Sequence, residues 1–226
     1  MFEELQKNIK YTFADEKLLE QALTHSSYVN EHGLSHADCN ERLEYLGDAV
    51  LELASSDFLY RRDSQMPEGK LTKLRASLVC ESALAEIARD VNLGDFIILG
   101  VGEKQSGGNK RDSILSDALE SVIGAIYLDS GFTNAKEFVD EFVMKGIDRR
   151  ALFFDSKTIL QEEVQGAGLG DIHYELDAMT GPDHDKTFSS SVYISGEKYG
   201  SGSAHTKKGS EQAAAYQAIL KIKSQN

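Results

Sequence analysis

Cysteine is scarce in this chain of 226 residues, and basic side chains and long apolar runs are scarce with it. The two cysteines, Cys39 and Cys80, make no CxxC spacing and are too few for a disulfide framework. Both read as reduced packing residues, and no zinc site is legible. No uninterrupted apolar run is long enough to cross a bilayer, and Met1-Phe2-Glu3-Glu4-Leu5-Gln6-Lys7 lacks the basic region and apolar stretch of a secretion signal. The expectation is a cytoplasmic protein without a membrane partner. Twenty-four Lys and Arg against 37 Asp and Glu leave a formal charge of -13, which taken alone argues against nucleic acid, because phosphate contacts need cations. The deficit is uneven: from Ser156 onward seven lysines face nine acids, a net of -2, against -11 before it. Even the second half is not basic, and its one local basic patch is Lys207-Lys208.

What is present is an ordinary soluble composition, 41% hydrophobic and 27% charged, with length enough for one large domain or two smaller ones. To about Ile147 apolar residues recur at helical steps, as in Leu18, Leu19, Ala22 and Leu23, then Leu71, Leu74 and Leu78, then Leu84, Ile87 and Ala88. That half reads as all-α, spanning 1-150. Asp38 followed by Glu41 has the form of a capping box that starts the next helix. Pro67-Glu68-Gly69 ends the connection after it, and the glycines of 100–109 read as a loop. After Arg149-Arg150 the pattern becomes helix, three strands, helix, an α+β (α-β-β-β-α) unit over 156-226. Thr187 to Ile194 alternates as a half-buried strand, Tyr199 to Ser203 is a glycine-rich third strand, and a closing helix from Lys207 turns Ala214, Ala218 and Ile219 to the sheet.

Two helices of the first half carry acids where core residues belong. In Asn40-Glu41-Arg42-Leu43-Glu44-Tyr45-Leu46-Gly47-Asp48-Ala49-Val50-Leu51, Glu44 and Asp48 fall a turn apart on one face among leucine and valine. In Ser113 to Leu128, Asp117 and Glu120 stand three apart in a strongly apolar run. Burying charge in this way is costly unless a cation compensates it, so two acid pairs suggest a site for hard divalent ions. An ordinary reading stays open: a solvated helix face, with Arg42, Lys110 or Arg111 as ion-pair partners. For Glu41 and Glu52 that ordinary reading is the preferred one.

The first run resembles the signature of ribonuclease III, and the second its other metal-binding helix. In the same order, Lys157-Thr158-Ile159-Leu160-Gln161-Glu162, Gly181-Pro182-Asp183-His184 and Lys207-Lys208-Gly209-Ser210-Glu211-Gln212 resemble a double-stranded-RNA-binding domain. The resemblance implies an N-terminal all-α endonuclease domain and a C-terminal duplex-RNA-binding domain. It implies that Glu44, Asp48, Asp117 and Glu120 hold Mg²⁺, with Mn²⁺ as a substitute, and that Asp48 and Glu120 form the active-site pair. Glu41 and Glu68 match acidic positions lining the family's cleft. Thr158, Gln161, Glu162, Pro182, His184, Lys207 and Lys208 are implied to contact RNA along one face of the duplex. Tyr45 matches an aromatic that enters a pocket on a second subunit, making a homodimer with one acid cluster per strand. The implied reaction is hydrolysis of double-stranded RNA to 5′-phosphate and 3′-hydroxyl ends with short 3′ overhangs, with ribosomal-RNA precursors and other structured transcripts as substrates. Ser116, Ser121 and Ser210 stand where alanine is usual, which puts only packing in question. The rival readings are a non-catalytic duplex-RNA-binding protein of the same fold and an acidic metal enzyme for a small substrate.

Overall fold

The second acidic run becomes the central helix of the first half. Residues Asp112–Ser130 bury Ile114, Leu115, Ala118, Leu119, Val122, Ile123, Ala125 and Ile126 together with Ser116 and Ser121. Apolar residues on so many sides require enclosure rather than one-sided packing. The computed structural model describes residues 2–147, 152–153, 156–181 and 186–225. The chain divides into two compact units, Met1–Lys145 and Gly146–Asn226.

In the first unit the helices are α1 (Glu3–Asn8), α2 (Glu16–Leu23), α3 (Ser26–His32), α4 (Glu41–Arg62), α5 (Glu68–Leu78), α6 (Glu81–Asp90), α7 (Val101–Gln105), α8 (Asp112–Ser130) and α9 (Phe132–Phe138). A π-helical turn, Val139–Val143, continues α9. Helices α2, α4, α6 and α9 all pack against α8. The periodic residues of α2 and α6 do bury: Leu19, Ala22 and Leu23, then Leu84, Ile87 and Ala88.

The α4/α8 crossing is unusually close because glycine faces backbone on both sides. A Cβ on Gly47 would lie 1.8 Å from the Glu120 carbonyl oxygen, and one on Gly124 would lie 2.3 Å from that of Leu43. No side chain fits there, so the two main chains touch. Ser121 reinforces the contact: its buried hydroxyl donates to the Asn40 carbonyl oxygen at 3.2 Å, and that oxygen also accepts from the first turn of α4. This serine therefore supplies a hydrogen bond as well as volume.

Two local expectations need correction. Asp38 does not cap α4. It belongs to the preceding 3₁₀ turn, His36–Asp38, whose capping box is closed by Ser35, with Asp38 accepting from the Ser35 N–H at 3.2 Å. Helix α4 starts instead at Asn40, whose side chain makes no cap bond and whose N–H is held by the Thr24 carbonyl at 2.8 Å. Nor is 100–109 a plain loop. It contains α7, where Glu31 accepts from the N–H groups of Val101 (2.7 Å) and Gly102 (3.2 Å), and a 3₁₀ turn, Gly108–Lys110. A carboxylate from elsewhere in the fold replaces the missing local cap, which spacing along the chain cannot show.

The second unit runs α10 (Ser156–Gly166), β1 (Ile172–Thr180), β2 (Thr187–Ile194), β3 (Glu197–Ala204) and α11 (Lys207–Gln225). The antiparallel sheet has order β1-β2-β3, with Tyr174 opposite Val192 and Val192 opposite Gly200. Its core is Leu160, Val164, Val192, Ile194, Ala214, Ala215, Ala218 and Ile219. The glycines of β3 make room for α11: a Cβ on Gly200 would meet the Ala214 carbonyl at 2.4 Å, and one on Gly202 the Ala213 Cβ at 2.3 Å. Ser210 is buried and its hydroxyl lies 2.7 Å from that of Ser190 in β2, so a hydrogen-bonded pair occupies what an alanine would leave apolar.

Replacing Gly124 by Ala should cost about 3 kcal/mol of unfolding free energy, since neither backbone can yield without opening the crossing. Gly69→Ala, at an open position in α5 with nothing within 4 Å, should shift stability by less than about 1 kcal/mol and toward stabilisation. Urea denaturation of both variants checks the contrast, and equal costs would contradict the backbone contact.

Candidate active site and nucleic-acid surface

The glycine crossing decides where the acids go. Glu44 and Asp48 flank Gly47 on α4, and the backbone it touches is that of Glu120 on α8, one turn after Asp117. Glu44, Asp117 and Glu120 are half-buried and Asp48 is exposed. Their charges act on one another. Burial pushes the Glu120 carboxyl up to about 8, and Asp48, Asp117 and Glu44 add to the rise in that order. Burial likewise raises Glu44, with Asp117, Glu41 and Asp48 contributing. Asp117 is raised by burial against an opposing hydrogen bond from Ser116, with Glu81 and Glu41 raising it further and His25 lowering it. The four carboxylates thus share one space, with Glu41 beside them.

No lysine or arginine among the described residues relieves this crowding. Arg111 is paired with Glu103 at 2.9 Å, and the groups acting on Asp117 and Glu120 include no lysine or arginine. The ion-pair explanation of the acids is therefore weakened, whereas for Glu52 it holds: Glu52 pairs with Arg75 at 2.8 Å. A half-buried set of oxygen donors with uncompensated negative charge fits a hard divalent cation. The donors are not drawn into a tight cage. Among the described residues the three-ligand group whose atoms all lie within 4.8 Å of one another is His36, Cys39 and Glu41.

Glu68 stands apart. It accepts from Thr72 at 3.0 Å and lines a groove of about 370 Å³ with Leu53, Asp57, Tyr60, Leu71 and Arg75. Those α4 residues lie 9 to 16 positions beyond Glu44 and 5 to 12 beyond Asp48, roughly 8 to 24 Å along the axis. Within one chain Glu68 is not among the charges acting on the raised carboxyls. Tyr45 projects from α4 with 81% of its surface exposed. Glu81 and His25 join the site without having been singled out by sequence, since each comes from a different element and no fixed spacing links them to the acids.

In the second unit, Thr158, Gln161 and Glu162 are exposed on α10, and Lys207 and Lys208 are exposed on the first turn of α11. Lys157 bridges to Glu211 at 2.6 Å and the Ser156 hydroxyl donates to the Gln212 carbonyl at 2.8 Å, tying the two helix starts together. Lys207 and Lys208 stand at the N-terminus of α11, where the helix dipole adds positive potential. Pro182 and His184 lie outside the described residues.

Known proteins match both units. Residues 15–147 match the ribonuclease-III-like family and residues 156–222 the double-stranded RNA binding motif. Ribonuclease 3 of Halalkalibacterium halodurans is 47% identical over 224 residues, 98% of this chain and 85% of that protein. Ribonuclease 3 of Listeria monocytogenes is 46% identical over 98% of this chain and 97% of its own length. The chain belongs to the ribonuclease III family. A solved nuclease domain of ribonuclease III from Campylobacter jejuni has a TM-score of 0.60 at 46% identity, over 64% of this chain and 97% of that one. The protein is an endoribonuclease with a duplex-RNA-binding unit, and its nuclease unit has the helical ribonuclease III fold. Among the described residues no helix is long and apolar enough to cross a membrane.

The raised Glu120 carboxyl predicts how the metal-free protein responds to pH. A group whose folded value is lifted from 4.5 to about 8 binds its proton more tightly when folded, so its stabilising contribution is full below the unfolded value and is lost as pH rises through the folded one. In chelator, melting temperature should fall as pH rises from about 5 to about 8, less steeply for Glu120→Gln, which should be the more stable protein at the upper end. Parallel wild-type and variant curves would contradict the shift.

Proposed function

We propose that this ribonuclease III uses Mg²⁺ held by Glu44, Asp48, Asp117 and Glu120 to hydrolyse both strands of duplex RNA. The observation that carries the reading is the crowding of these four carboxylates at a glycine-packed crossing, with no lysine or arginine among the described residues to balance them. When bound, Mg²⁺ supplies positive charge for phosphate oxygens and lowers the pKa of water for in-line attack, and Mn²⁺ can replace it. Asp48 and Glu120 act as the pair nearest the reacting phosphate, Glu120 from the buried side and Asp48 from the exposed side. Glu41 and Glu81 extend the negative rim, and Glu68 has an auxiliary place in the cleft. The products are 5′-phosphate and 3′-hydroxyl ends.

Duplex RNA is gripped by Thr158, Gln161 and Glu162 against one minor groove and by Lys207 and Lys208 against phosphates, with Pro182 and His184 at the next minor groove. Two staggered cuts require two clusters related by a two-fold axis, so the working form is a homodimer. The exposed Tyr45 supports it, as does the description of the Campylobacter structure as showing flexibility in a region involved in dimer formation. Precursors of ribosomal RNA and other structured transcripts in the cytoplasm are the proposed substrates.

Cleavage and binding should separate by unit. Glu120→Gln should abolish Mg²⁺-dependent cleavage while duplex binding stays within about twofold. Lys207→Ala with Lys208→Ala should weaken binding and reduce the slope of log affinity against log salt by about one to two, with cleavage surviving at low salt. Cleavage by the first variant at the wild-type rate, or an unchanged salt slope in the second, would contradict these roles. A mixed dimer of wild-type and Glu120→Gln chains, isolated with two affinity tags, should nick duplex RNA. Clean double-strand breaks from that dimer in one binding event would overturn the two-cluster arrangement.

A further inference from the structure

The turn that leads into α4 brings a thiol and an imidazole, donors absent from the acid cluster, together with a carboxylate. His36 Nδ1 lies 3.6 Å from the Cys39 sulfur and 3.5 Å from Glu41 Oε2, and the three donor atoms all fall within 4.8 Å of one another. Metal–ligand bonds of about 2.3 Å to sulfur and about 2.0 Å to nitrogen and oxygen, held tetrahedrally, would separate sulfur from nitrogen by about 3.5 Å and nitrogen from oxygen by about 3.3 Å. Two edges of such a tetrahedron are already in place. The sulfur is buried, while the His36 and Glu41 side chains are 65% and 49% exposed, so an ion would seat on the thiol from the solvent side with a fourth position open to water.

The scaffold under these donors is fixed. Gln21 donates to the carbonyls of Ala37 at 2.9 Å and Cys39 at 3.4 Å, the Ser35–Asp38 capping box closes the turn, and Asn40 N–H is held by Thr24. Ligands on a pinned turn lose little freedom when an ion arrives. The donor set also selects the ion: thiolate and imidazole prefer Zn²⁺ and related transition metals over the hard cations that suit carboxylates.

We propose that His36, Cys39 and Glu41 form a binding site for a thiophilic divalent cation, Zn²⁺ or its close relatives, separate from the four acids proposed to hold Mg²⁺ and bordering them through Glu41. Binding forms a metal–sulfur bond and breaks the Cys39 S–H bond, whose proton now points to the His36 carbonyl and passes to solvent. No electron transfer is involved. Glu41, whose charge acts on Glu44 and Asp117, would be held in that turn with its charge neutralised. Sequence alone hides the site because two of its three ligands are single residues of ordinary type and the third belongs to the acidic helix start.

The test is a titration of the metal-free full-length protein with Co²⁺ in saturating Mg²⁺, read by the thiolate-to-cobalt charge-transfer absorption in the near ultraviolet. One equivalent should develop the band. Cys39→Ser should abolish it, and His36→Ala, which removes a solvent-facing side chain, should weaken Co²⁺ affinity tenfold or more while the fold persists. Cys80→Ser, which changes the exposed second cysteine, should leave the band intact. Absence of the band in wild type, its loss on Cys80→Ser, or undiminished affinity in His36→Ala would overturn the proposal.

Discussion

Two main chains in direct contact, at Gly47 of α4 and Gly124 of α8, set the position of everything chemical in the nuclease unit. Ordinary helix packing separates axes by the depth of interleaved side chains. Here that layer is missing at one point, and residues on either side of the crossing are drawn into a common space. Glu44 and Asp48 arrive from one helix, Asp117 and Glu120 from the other. The Ser121 hydroxyl on the Asn40 carbonyl ties the same crossing to the start of α4, so helix initiation and site assembly are one structural event.

That placement has an electrostatic cost which the surrounding fold does not remove. The leucine, valine and isoleucine side chains of α8 are buried on most of its sides, and the carboxyls that reach the crossing give up part of their hydration. Burial leads the causes that raise Glu44, Asp117 and Glu120, with like charges adding to it. A fold selected for stability alone would place an arginine or an apolar side chain here. An acid cluster kept without one is a site poised to exchange protons for a metal cation, and functional sites are where such local conflicts persist.

The sequence showed the two acidic helices, the all-α character of the first half and the α-β-β-β-α order of the second, because each depends on periodicity within a short run. It did not reveal why Gly47, Gly124, Gly200 and Gly202 are glycines, since what forbids a side chain there is backbone distant in sequence. The same limit explains the misplaced cap at Asp38 and the helical turns within 100–109, both settled by partners elsewhere: Thr24 for the start of α4 and Glu31 for α7. Ser190 and Ser210 became a pair only when strand and helix met. Glu81 and His25 entered the acid site in the same way, from elements the motif does not include.

In the metal-free protein the crossing holds protons which a divalent cation must displace. Titrating metal-free protein with Mg²⁺ at pH 7 in buffers of different ionisation enthalpy counts those protons calorimetrically. With Glu120 raised to about 8, close to one proton should leave per cluster on binding, and Glu120→Gln should lose most of that release. Binding without proton release, or equal release from wild type and variant, would contradict the account.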